Sequence, residues 1–357
     1  MTTNRQFPAS ESSMRMPKPL LPVLGALCVI AAAPGAWARP PAGPMVIGAA
    51  AGPPMGPGPG RLFAIAPRAG RVRAVGFARP GTPAGNSFYV GYDPATQRIY
   101  VPSVAGRMTV LAAPGLRPVA HFPVIRGARL ARVVPPAQLV LVLSGQDLAA
   151  YSLKTHRALF TLPVGGNAIA VDAAHDRAFI GGNMDPVVTE VALPSGRVLA
   201  RYGVAGSGDL AFAHGLVFSA DIKTGVLSVL DLRSGAIVPI KTAEVDPRFS
   251  YRRIAAATAG FMQMAVGPSG KTLYVAGFSG HILRFSTVNG AYLGETTIAT
   301  GTGANKLSGL AIVDHGKDAL VTVESHNETV LAALATGAVL HRFPGVSSNR
   351  WVVAARQ

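Results

Sequence analysis

Six side chains carry most of the chemistry that this sequence offers: Arg252, Arg253, His281, Glu324, His326 and Arg350. Glu324 and His326 stand at i, i+2, a spacing that sends both side chains to one side of an extended segment. There they form a candidate acid/base or metal-holding pair, against the plainer reading of a solvated turn with two incidental polar groups. Arg252 and Arg253 follow Tyr251, and guanidinium groups make paired hydrogen bonds to carboxylates and other oxyanions. They therefore point to an anionic or carboxylate-bearing partner; the structural alternative is that they neutralise Glu244 and Asp246 in the same segment.

Other chemistry is excluded motif by motif. The segment 267–272, GPSGKT, resembles the end of a phosphate-binding loop, but the required first glycine falls on Ala265 and a strand-like run follows instead of a helix. Gly301-Thr302-Gly303 belongs to no strand–turn–helix unit. There is no Gly-x-Ser-x-Gly elbow and no His-Glu-x-x-His. His121, His156, His175, His214, His315 and His341 fall on expected outer strands or on turns away from the candidate site.

The elements that position the six residues are short strands. Phe261 to Val266, Thr272 to Phe278 and His281 to Phe285 are β-prone runs, separated by the turn residues 267–271 and 279–280, and a fourth run begins near Tyr292. One small four-stranded sheet cannot bury both of its faces, so it must stack on neighbours. Aligning the second strand of each unit on Tyr100, Leu141, Phe179, Val217, Tyr274 and Val321 gives spacings of 41, 38, 38, 57 and 47 residues. Such a period suits the blades of a propeller. Leu273-Tyr274-Val275-Ala276, following Pro268-Ser269-Gly270-Lys271, closely resembles the signature of the YVTN-type β-propeller repeat family, whose members include exported bacterial seven-bladed propellers.

The expected fold is all-β: a seven-bladed β-propeller of four-stranded antiparallel blades over residues 61–357. Six units run from about Ser87 to Asn349, and Trp351 to Ala354 matches only a first strand. Runs at 62–66 and 72–77 match third and fourth strands, and Met45 to Ala49 supplies a second, so the two termini would close a seventh blade and remove exposed edges. A six-bladed ring with loose ends is the alternative. Connections between blades, and the turns between second and third strands, converge on one mouth of such a ring, and that geometry gathers the six residues named above. The long interval 241–260 is expected to form an ordered flap over this mouth.

Residues 1–38 read as a secretory signal peptide: Arg15 and Lys18 precede an apolar core from Leu20 to Ala33, and Ala36-Trp37-Ala38 provides the small residues a signal peptidase needs. Residues 39–60 form a Pro/Gly-rich segment that holds the closing strand. The apolar core is too short for a stable membrane span, so a periplasmic or secreted protein is expected. Met14 and Met16 are alternative starts to Met1. Cys28, the single cysteine, lies in this leader, so the remaining chain can hold no disulfide, zinc–thiolate site or thioether-linked haem. No cofactor is expected.

The formal charge of +16 favours polyanions, although the basic residues are spread singly along the repeats. Three functions compete. The family resemblance and the missing catalytic motifs favour a non-enzymatic propeller that binds a small molecule or protein at its mouth. Propeller lactonases supply the rival, a metal-assisted hydrolase or lyase recruiting Asn183, Asp185, Asp221 and Glu324. The third is polyanion or nucleic-acid binding through net charge, which predicts steep salt dependence.

Overall fold

The computed structural model describes residues 45–50, 60–76, 87–113, 115–182, 186–250, 256–301, 303 and 305–354. The leader expected at 1–38 lies outside them, as do Asn183, Asp185, Tyr251, Arg252 and Arg253. Seven four-stranded antiparallel sheets make up the described chain. Blades one to six span 91–123, 130–162, 168–203, 209–241, 261–297 and 307–344, each with its strands in chain order. The first strands of successive blades contact one another around a closed circle, in which the seventh blade returns to the first. The chain is a seven-bladed β-propeller.

Burial follows from position in the blade. Second strands such as Leu139–Leu143, sequence LVLVL, are buried at every residue because sheets on both sides cover them. Outermost strands such as Ile237–Lys241 stay largely exposed, and Pro118, Pro123, Pro239 and Pro344 all sit on outermost strands, where a missing ladder donor does no harm. Register shifts between third and fourth strands in five blades bend the rim edge further away from regular pairing.

Both termini close the ring. Trp351–Ala354 is the first strand of blade seven and pairs with Met45–Ala50, which pairs with Arg61–Ala66 and then Arg71–Gly76. Gly48 stands opposite Trp351. A Cβ at Gly48 or Gly309 would run into the indole, so these two glycines make the space in which the buried Trp351 sits. On the far side, Arg68 of blade seven pairs with Asp314 and, at 3.0 Å, with Asp318 of blade six.

Two innermost strands are irregular. Phe261–Val266 loses register with its partner between Phe261 and Met264, and Leu307–Val313 does so between Leu307 and Leu310. Each bulge lies at the start of its strand and re-aims the residues inside it: Gln263 in blade five, Ser308 in blade six.

Candidate functional site

The blade-to-blade connections and the turns between second and third strands share one face of the ring, and His281, Glu324, His326 and Arg350 all belong to it. His121 and His341 lie on outermost strands, while His156, His175, His214 and His315 occupy turns on the opposite face. The mouth residues do not form a single cluster. They occupy three groups, arranged from the rim of the mouth to the channel.

The pairing expected of Glu324 and His326 is corrected by the local backbone. Residues Glu324–His326 form a 3-10 turn, so the period-two geometry of a strand does not apply. The Glu324 carboxylate turns inward and accepts a 2.6 Å hydrogen bond from the fully buried Ser308 hydroxyl. Burial raises its pKa, and the Ser308 bond opposes the rise. His326 instead lies 3.5 Å from Glu328, which also pairs with Arg342 at 2.5 Å.

The base of the flap forms the second group. Glu244 is buried and accepts from the Gly260 amide at 3.0 Å and from the Ser279 hydroxyl, while His281 Nδ1 lies 2.7 Å from that hydroxyl and 4.0 Å from Glu244. Asp246 ties the two limbs of the insertion together through the amides of Arg248 and Thr258, both at 3.0 Å, and these bonds hold its carboxyl below the usual range, the Thr258 amide acting most strongly. Phe249 is buried against Ile222, Ala257 and Phe278, meeting the last edge-on. The described parts of 241–260 are thus an anchored flap on the mouth side, with Glu244 and Asp246 engaged by backbone donors.

The third group was not visible in the sequence, Arg350 excepted. A cavity of about 450 Å³ runs along the ring axis, lined by the innermost strands of six blades and by Tyr89, which precedes the innermost strand of blade one. Because these strands present their unpaired edges to the axis, polar side chains at the mouth end take over the pairing. Gln263 accepts from the amides of Leu310 at 2.8 Å and Trp351 at 2.7 Å, and donates to the Trp351 carbonyl at 2.8 Å, joining blades five, six and seven. Asp209 accepts from the Met264 amide at 2.6 Å, joining blades four and five. Arg350 reaches Asp209 and the Gly208 carbonyl, each at 3.4 Å. Arg132 donates to the Tyr89 hydroxyl at 3.1 Å. Burial raises the pKa of Asp209; Arg350, the Met264 and Leu210 amides and Arg132 pull it down.

A lone amide in FMQMAV and a lone guanidinium in LARVV were the only sequence signals of this collar. Asp221, a proposed metal ligand, accepts from the Lys223 amide at 2.9 Å and from the Thr224 hydroxyl, which caps its own turn. Among the described residues no three His, Asp or Glu side chains come together as a metal site.

No protein-family model and no curated protein matches the chain. Among solved structures it is similar to hydrazine synthase of Kuenenia stuttgartiensis, with a TM-score of 0.60 at 11% identity over 76% of this chain and 92% of that one. At that identity the likeness is one of fold.

Proposed function

We propose that this protein is an exported, non-enzymatic propeller of the YVTN repeat type that binds a ligand at the mouth of its ring. The observation that carries the reading is the pair of bulges in the innermost strands of blades five and six, at the mouth end only. Bulges interrupt ladder pairing, and they are concentrated where a fold must re-aim a side chain. Here they turn Gln263 into the channel group that holds Asp209 and Arg350, and turn Ser308 to Glu324 in the 3-10 turn of the mouth. The repeat type rests on Leu273-Tyr274-Val275-Ala276, and export rests on the leader at 1–38.

The metal-assisted alternative is less well supported, since Asp221 and Glu324 each have hydrogen-bond partners in place of converging on a common point. A thermal-shift screen of a small-molecule library tests binding, because a ligand of the native state raises Tm. Hits are expected to lose their shift in Glu324→Ala or His281→Ala and to keep it in His175→Ala, on the opposite face. Equal sensitivity of all three variants would remove the mouth as the site. Intact mass of the exported protein should begin at Arg39, and material retaining Cys28 would refute the leader.

A further inference from the structure

The neck of the channel carries two guanidinium groups against one carboxylate. Arg350 is largely enclosed, with its side chain 12% exposed, yet its contact with Asp209 is 3.4 Å, longer than the 2.7–2.9 Å of a firm charge-assisted hydrogen bond. Asp209 has already committed its other oxygen, at 2.6 Å, to the Met264 amide. Arg132 is half-buried, and its one hydrogen bond among the described residues goes to a neutral phenol, Tyr89, at 3.1 Å. Both arginines act electrostatically on Asp209, which places all three groups in the same field. A guanidinium has five donors in a planar fork, and these two use few of them.

An uncompensated positive charge in a partly desolvated channel is costly unless an anion meets it. Tyr89 accepts from Arg132 through its oxygen and keeps its own O–H to give. The remaining wall is mixed, with the apolar side chains Ile169, Val171, Ile312 and Val353 alongside strand backbone. We infer that the channel neck is a binding site for a small organic monocarboxylate, clasped by Arg132 and the Tyr89 hydroxyl, which both line the cavity, while Arg350 is set against Asp209. The carboxylate accepts from these two groups, and its organic tail lies along the apolar wall within the cavity of about 450 Å³. This deepens the mouth-side reading and rests on it for access.

Calorimetric titration of the full chain with acetate, propionate and benzoate, each paired with its neutral amide, tests the inference. The carboxylates are expected to bind with one site per chain and the amides far more weakly, because a neutral group forms weaker hydrogen bonds to guanidinium. Arg132→Gln should weaken carboxylate binding about tenfold to a hundredfold, Tyr89→Phe by a smaller factor and Arg132→Lys by less than Arg132→Gln. Arg117→Gln, on the exposed rim of blade one, should change nothing. Circular dichroism and Tm establish that each variant folds, and Tyr89→Phe keeps the test open if Arg132→Gln does not.

Amides binding as well as acids, unchanged affinity in folded Arg132→Gln, or no carboxylate binding up to the solubility limit would each overturn the site. Library hits that respond to Glu324 and His281 but not to Arg132 would leave the mouth reading standing without this one. No hits and no carboxylate binding would remove both.

Discussion

Glu324 shows how far the surroundings of one side chain can move it from its sequence-level reading. Its carboxyl is held against Ser308 in a site where burial raises its pKa above the usual 4.5. A raised carboxylate pKa means that the folded chain binds this proton more tightly than the unfolded chain. Stability from this group therefore falls as pH rises from the unfolded value through the folded one. Glu324→Gln keeps an acceptor for the Ser308 hydroxyl and removes the buried charge. The variant should match or exceed the parent in Tm at neutral pH, and the gap should close or reverse as pH is lowered below the ordinary carboxylate range. Melting curves from about pH 3 to pH 8 check this; a variant that is less stable at pH 7 and recovers in acid would contradict it. Gln263 makes the complementary case of a neutral group. Gln263→Leu leaves two amides and one carbonyl of the innermost strands without their partner, and the expected loss is about 2 to 4 kcal/mol by chemical denaturation, part of it offset by water in the channel.

At the scale of elements, the flap depends on a close approach rather than on its own propensity. Glu244 passes so near Gly277 that a Cβ there would meet its carboxylate, and the same carboxylate holds the Gly260 amide at the far limb. Gly277→Ala should displace Glu244 and loosen the insertion while leaving the seven blades folded. Tryptic cleavage after Arg248 should then accelerate, with little change in the circular dichroism spectrum. Unchanged cleavage would mean that Asp246 and the buried Phe249 hold the flap without Glu244. The bulges of blades five and six belong to this scale too: each sacrifices regular ladder pairing at the mouth and gains a side chain directed at a neighbouring strand or turn.

For the whole molecule, stability depends on closing the circle. Trp351–Ala354 supplies one edge of Met45–Ala50, the indole fills the space between Gly48 and Gly309 and donates to Thr322 at 2.9 Å, and Gln263 is bonded to this strand from across the channel. Removing residues 350–357 breaks all of these contacts and leaves the inner edge of Met45–Ala50 unpaired. The shortened chain should melt lower by about 10 °C or more, since losing a buried Trp alone costs about 3–5 kcal/mol. An unchanged Tm would show that the ring holds without its final strand.

The sequence by itself determined the blade. The repeat of second strands, the turn residues between them and the unmatched single strand after Asn349 were enough to deduce seven sheets and a closure through both termini, because those features are local patterns of period and turn chemistry. It also put His281, Glu324, His326 and Arg350 on one shared face of the ring, since connectivity alone decides on which side a loop emerges. What only the tertiary structure decided is which of them meet. Glu324 and His326 part because a 3-10 turn replaces an extended segment. Asp209, Gln263, Arg132 and Tyr89 gather at the channel because innermost strands from different blades turn their unpaired edges to a common axis. No spacing along the chain encodes that meeting: the partners are up to 142 residues apart, as for Arg350 and Gly208, and they become neighbours only when the ring closes.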